Sequence, residues 1–259
     1  MYFIYVLGPA GSGKTSLTST FSEWLKAQKM DVAIVNLDPA VEWVPYTPTA
    51  DIRDYITTWD VMRKYNLGPN GALIASVDLS VNHVYKLRSE IEKEQPNYVI
   101  VDTPGQLEIF AFRPAGKLLI EQLSGDSKSL ALFLIDAYFT SKPSALASLL
   151  LLSVATTFSH GLPQINVLTK IDMLSPELYK KVLKWLEDPM IFISDITRDK
   201  LPKPYEELAY ETPEFLTSIV EELIPISSVT WEGMESLYAA VQRVLAGGED
   251  YLTEEYSEV

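Results

Sequence analysis

The stretch Gly8–Thr15 reads GPAGSGKT, glycines interleaved with small residues and closed by a lysine and a threonine. Glycine lets backbone N–H groups crowd around an anion, and a helix opening directly afterwards adds the positive end of its dipole. The lysine then brings a mobile cation, and the threonine a hydroxyl suited to a hard divalent ion. The pattern G-x-x-x-x-G-K-[ST] is met without a mismatch. Gly11, Ser12, Gly13, Lys14, Thr15 and Ser16 are therefore candidate phosphate contacts. Lys14 is expected at the β and γ phosphates and the Thr15 hydroxyl at Mg²⁺.

Four further segments carry chemistry. Val99–Gln106 (VIVDTPGQ) is an apolar run ending in an acid, the Walker B arrangement. It sets Asp102 across from Thr15 to hold Mg²⁺ or its water. The D-x-x-G spacing gives Gly105, whose N–H can sense a γ-phosphate. Gln106 follows directly, where GTPases of the Ras type keep the residue that orients the attacking water. Val167–Leu174 (VLTKIDML) is similar to the [NT]-K-x-D guanine signature. Asp172 can accept from guanine N1–H and from the exocyclic amine, a pair that adenine does not offer, and the aliphatic stem of Lys170 can cover the base. Thr169 stands where Asn is commoner, which removes an amide contact and loosens the exclusion of ATP. Pro225–Val229 (PISSV) ends a last strand where GTPases place a loop whose backbone N–H reads guanine O6, so Ser228 and Val229 join the candidates. Finally, NLDPAVEWVPY ends a second strand with Asp38. That carboxylate either holds a Mg²⁺-bound water and helps activate the nucleophile, or simply caps a proline turn.

These residues need a scaffold that brings strand ends together. Short β-branched runs recur at Tyr2–Leu7, Asp31–Leu37, Asn97–Asp102, Ser129–Asp136, Leu162–Lys170 and Glu222–Ser227. Helical spacing lies between them, as at Lys14–Lys29 and Ala72–Glu94. Near-continuous apolar strands point to a sheet covered on both faces, hence an α/β, doubly wound, mostly parallel sheet. Right-handed crossovers then gather the carboxyl ends of the strands along one edge, where ligands bind. One domain is expected over 1–248, with helical insertions at about 39–95 and 186–222 and an acidic tail at 249–259. Within the first insertion, KYNLGPNGA places Gly68-Pro69-Asn70 as a turn between two helices.

Composition narrows the partners. The formal net charge of −14 leaves no basic surplus for non-specific binding to nucleic acid or anionic lipid. There is no cysteine, which excludes disulfides and thiolate metal sites and fits a cytoplasmic home. His83 and His160 are the only histidines, too few for a zinc site or a Ser-His triad, and read as ordinary surface or core residues. The N-terminal run is expected to be a first strand rather than a signal peptide. Ala145–Phe158 falls short of the ~20 residues a membrane span requires and is expected as a buried helix.

GPAGSGKT, LDPA, GPN, DTPGQ and TKID occur here in the order seen in the GPN-loop GTPases. The chain closely resembles an archaeal member of that family over nearly its whole length. The resemblance implies a homodimeric P-loop GTPase related to the signal-recognition and MinD-like class, converting GTP to GDP with Mg²⁺. It implies that the Gly-Pro-Asn loop of one subunit enters the partner's site, bringing Asn70 to the γ-phosphate or attacking water. Catalytic roles then fall to Asp38, Asn70, Asp102 and Gln106, and base contacts to Lys170 and Asp172. Eukaryotic relatives are implicated in assembly of RNA polymerase II, so a protein client of that kind is one implied partner. MinD-like ATPases commonly carry a second lysine early in this loop; Pro9 and Ala10 stand there instead, and a neutral Asn70 cannot replace an arginine finger, so slow hydrolysis is expected. Two other functions fit the same motifs: an adaptor that holds GTP as a structural ligand, and a small-molecule kinase. The second insertion is mainly acidic, with Arg198 its only arginine, which disfavours a kinase lid.

Overall fold

The computed structural model describes residues 1–199 and 213–247. Residues 200–212 of the expected second insertion, and the acidic tail at 249–259, lie outside the described residues. Among the described residues the sheet has seven parallel strands: β1 (Tyr2–Leu7), β2 (Val32–Asn36), β3 (Ala50–Asp51), β4 (Tyr98–Asp102), β5 (Ser129–Asp136), β6 (Gln164–Thr169) and β7 (Ile224–Pro225). Their order is β3-β2-β4-β1-β5-β6-β7. The apolar runs became strands because both faces of the sheet are covered. Along β1, Phe3, Tyr5 and Leu7 enter one buried cluster while Ile4 and Val6 enter the other. Helix α1 (Lys14–Ala27) and the helix Met234–Ala246 cover the second face through Leu17, Phe21, Leu237 and Val241. The first face takes the remaining described helices and holds the larger core.

Strand order matters more than strand content. The chain leaves β1 for β2, yet β4 inserts between them, pairing Val6 and Asn36 with Asp102 in register. On the other side, β5 and β6 bring Asp136 level with Thr169. The carboxyl ends of these strands form the crevice in which a doubly wound sheet binds ligands.

The first insertion departs from expectation in two places. A two-residue strand, β3, joins the sheet edge beside β2. The anticipated helix over Ala72–Glu94 is instead α3 (Pro69–Ser80), a 3₁₀ turn at Val81–His83, and α4 (Val84–Glu94). The break follows serine side chains that bond back to the helix: Ser76 donates to the Leu73 carbonyl and Ser80 to that of Ser76, both at 2.8 Å. At the other end α3 starts before Ala72. Helix α2 (Thr58–Tyr65) is closed by Asn66 in the left-handed region (φ 50°), and Gly68 caps the next helix with Pro69 in its first turn. The Gly-Pro-Asn triplet is thus a helix start rather than a free turn, and Asn70 sits in the first turn of α3.

The greasy run became α7 (Pro143–His160), preceded by α5 (Leu107–Ala111) and α6 (Pro114–Ser124). By length and composition alone α7 could cross a membrane. It is only half buried: Leu146, Leu150, Ser153 and Thr156 face the core, while Leu151 and Phe158 are exposed. His160 lies buried against Phe110, with ring centroids 5.9 Å apart, and burial pushes its pKa down to about 4. His83 stacks on Tyr55. Both are packing residues.

Candidate active site

The phosphate loop is built where β1 turns into α1. Gly8 has φ 147°, and a Cβ there would meet the Leu134 carbonyl oxygen and Ser12 Oγ at 2.7 Å, so only glycine fits. Gly13, at φ 96°, caps α1. The first-turn N–H groups of that helix have no intrahelical acceptor and point at the cleft. Gly11, Gly13, Lys14, Thr15 and Ser16 wall one side of a cleft of about 310 Å³. Asp38, Thr103, Gly105 and Lys170 wall the other. Ser12 lies behind the wall, buried, with its hydroxyl unbonded.

Lys14 is buried and folded back on the loop. Its ammonium donates to the carbonyls of Gly8 (2.8 Å), Pro9 (3.1 Å) and Gly105 (3.1 Å). Burial pulls its pKa down, with Asp102 and Asp38 opposing. These are neutral acceptors for a cation, and phosphate oxygens would be stronger ones.

Asp102 is 2% exposed at the end of β4. Burial raises its pKa to about 6, against the hydroxyls of Tyr46 and Thr15, which favour the ionised form. Oδ2 accepts from the Tyr46 hydroxyl at 2.8 Å; Oδ1 is buried without a hydrogen-bond partner. A buried carboxylate oxygen left unpaired is costly, and a divalent cation or its water would satisfy it. The Thr15 hydroxyl beside it completes a donor set that fits Mg²⁺. Among the described residues no three His, Asp or Glu side chains gather to hold a metal by themselves. That matches a cation whose remaining ligands are water and phosphate.

Asp38 is otherwise engaged. Oδ1 accepts the Ala40 N–H at 2.8 Å and Oδ2 the Gly105 N–H at 3.1 Å. In this geometry it bridges loop to loop, each oxygen accepting one backbone N–H. Burial raises its pKa, opposed by those amides.

The base side is organised by β6. Lys170, in the left-handed region at φ 63°, donates to the Gly11 carbonyl at 2.6 Å and pairs with Asp136 at 2.7 Å. Thr169 Oγ1 lies 2.7 Å from the Ser12 carbonyl oxygen and 3.2 Å from that of Ile135. Threonine here therefore still ties the strand to the phosphate loop. Asp172 is exposed and makes no hydrogen bond or ion pair with the described residues, an open acceptor. After β7 the Ser227 hydroxyl accepts the N–H groups of Val229 and Thr230, both at 3.1 Å. The Val229 N–H is consequently taken, leaving that of Ser228 as the donor the loop can offer a base.

Gln106 and Asn70 are exposed and do not wall the cleft. Three residues here were not singled out from the sequence: Thr103, whose hydroxyl donates to the Val6 carbonyl at 2.6 Å, Tyr46 and Asp136. Thr103 lies inside the DTPG string; nothing local marks Tyr46, whose partner is 56 residues away.

Comparison with known proteins agrees with this fold. A family model described as "Conserved hypothetical ATP binding protein" matches residues 6–247. GPN-loop GTPase 1 of Schizosaccharomyces pombe is 32% identical over 269 residues, covering 97% of this chain and 71% of that one. GPN-loop GTPase 3 of Danio rerio is 35% identical over 192 residues, covering 73% and 67%. GPN-loop GTPase 1 of Dictyostelium discoideum is 30% identical over 252 residues; the match takes in 96% of this chain but spans only 62% of the relative's length. Among solved structures, the apo form of a GTPase from Pyrococcus abyssi superposes with a TM-score of 0.82 at 29% identity, covering 94% of this chain and 97% of that one. With identity above 30% sustained over more than two thirds of two relatives' own length, the chain belongs to the GPN-loop GTPase family.

Proposed function

We propose that this chain binds GTP with Mg²⁺ and hydrolyses it slowly to GDP and phosphate, acting as a cytoplasmic homodimeric switch. The observation that carries the reading is the pairing of a phosphate loop whose Lys14 bonds only to neutral carbonyls with the buried, unpartnered Oδ1 of Asp102. Guanine rather than adenine is favoured by Asp172, an exposed carboxylate with no competing donor among the described residues. When bound, Mg²⁺ would be held by Thr15 and Asp102 and would neutralise charge on the β and γ phosphates.

The chain's own groups do the rest. Lys14 exchanges its carbonyls for phosphate oxygens. The Gly105 N–H leaves Asp38 for the γ-phosphate, which frees the Asp38 carboxylate. Gln106, on a helix start with an unbonded side chain, orients the attacking water. Asn70 acts from a second copy: it is exposed and outside the cleft of its own chain. The rim around the cleft suits a partner surface. Trp43, Tyr138, Met173 and Val229 are each at least 74% exposed, on the loops that follow β2, β5, β6 and β7. An acidic surface without a basic surplus supports a protein client, such as a polymerase under assembly, over nucleic acid.

The test is turnover of GTP and ATP by purified protein with Mg²⁺. GTP alone is expected to be hydrolysed, and Asp172→Asn to weaken GTP binding by about 10²-fold while admitting xanthosine triphosphate. Equal hydrolysis of ATP would overturn the role of Asp172.

A further inference from the structure

Beside the cleft one half-buried contact has no part in the mechanism above. The Tyr46 hydroxyl donates to Asp102 Oδ2 at 2.8 Å, whereas Oδ1 of the same carboxylate is buried and unbonded. The two oxygens of a carboxylate turn together about the Cβ–Cγ bond, so fixing one fixes the direction of the other. A flexible loop could not do this, and the loop between β2 and β3 is braced. Arg53 pairs with Asp51 at 2.6 Å and donates to the carbonyls of Val41 and Glu42, both at 3.2 Å. Asn36, at the end of β2, holds Asp51 Oδ1 at 2.9 Å. Tyr46 is therefore delivered to Asp102 from a segment anchored at both ends and across its middle.

The geometry points to Tyr46 as a positioning residue for the divalent cation: its O–H clamps one oxygen of Asp102 and presents the other to the metal and its water. The inference rests on the reading of the site as a Mg²⁺-nucleotide site. Without the phenol, Oδ2 of Asp102 loses its 2.8 Å hydrogen bond, so the carboxylate is free to turn about its Cβ–Cγ bond and the direction of Oδ1 is no longer fixed. Outer-shell partners of metal-holding carboxylates are worth about 10–100-fold in metal affinity. Tyr46 also shares its loop with Asp38, so one segment touches both the metal carboxylate and the Gly105 N–H.

The experiment titrates Mg²⁺ into full-length protein with a fluorescent GDP analogue, comparing wild type, Tyr46→Phe, Asp102→Asn and the double variant, each checked for folding by thermal unfolding. Tyr46→Phe should raise the Mg²⁺ concentration for half-maximal tight binding by about tenfold. Affinity in EDTA should not change. On the Asp102→Asn background, Tyr46→Phe should add no further shift. An unchanged midpoint in Tyr46→Phe would overturn the inference, as would a shift that persists in the double variant or an equal loss in EDTA. If wild type itself shows no Mg²⁺-dependent nucleotide binding, the site reading fails instead, and this inference with it.

Discussion

The carboxylate of Asp38 accepts the backbone N–H of Gly105 at 3.1 Å, joining the end of β2 to the turn after β4 across 67 residues of sequence. That N–H is the donor a γ-phosphate would use, so the two acceptors compete for one proton. Asp38→Ala should release it. A hydrogen bond of this kind contributes about 0.5–1.5 kcal/mol, so amide exchange at Gly105 without nucleotide should quicken by up to about tenfold. GTP turnover should fall by about 10²-fold if Asp38, once freed, assists the attacking water. Unchanged exchange at Gly105, read by NMR, would show that the contact does not restrain the turn.

Asn70 is exposed in the first turn of α3, so removing its side chain should cost the fold little, within about 0.5 kcal/mol. Asn70→Ala should bind GTP normally yet hydrolyse it slowly. Mixed with Lys14→Ala, whose own site cannot hold phosphate, it should regain activity at one site of each mixed dimer. Failure to recover on mixing would place Asn70 in its own subunit's chemistry or outside the reaction.

Protonation of Asp102 gives a pH dependence with a definite sign. Burial raises the carboxyl from 3.8 to about 6. Between those values the folded state binds a proton that the unfolded state has released. Stability from this group therefore rises as pH falls from about 7 towards 4, and is lost as pH climbs through 6. Metal binding runs the other way, because it needs the ionised form: below pH 6 the Mg²⁺ requirement should grow by up to about tenfold per pH unit. Asp102→Asn should flatten the stability slope and be more stable than wild type at neutral pH. Chemical denaturation at pH 5 and 7.5 measures both.

Gly116, in α6, lies directly under α5: a Cβ there would meet the Phe110 carbonyl oxygen at 1.8 Å. Backbone cannot yield as a side chain does, so Gly116→Ala should push α5, the helix that follows Gln106. The expected loss is about 1–3 kcal/mol of stability, with slower GTP turnover. Calorimetry alongside kinetics tests the pair, and a fully stable variant would mean that α5 shifts without resistance.

What could be read from the chain was whatever is encoded locally. Tyr2–Leu7 and Ser129–Asp136 were legible as strands to the residue, because a run buried on both faces must be apolar throughout. Gly8–Thr15 was legible because phosphate binding requires glycine, lysine and hydroxyl at fixed spacing. The helix start at Pro69 was missed, although Gly followed by Pro suits a helix N-terminus as well as a turn. The break at Val81–His83 was missed because it depends on where serine side chains turn back.

By itself, then, the amino-acid sequence determined which groups exist and in what order: a phosphate loop, an acid at the end of an apolar strand, a Thr-Lys-x-Asp turn and a Gly-Pro-Asn triplet. Only the tertiary structure decided which of them meet. Insertion of β4 between β1 and β2 sets Asp102 beside the phosphate loop and within reach of Tyr46, and sets Gly105 against Asp38. These contacts join residues more than 50 positions apart, and no local propensity specifies them. They follow from strand order, which is settled by how two apolar faces of one sheet are covered at once.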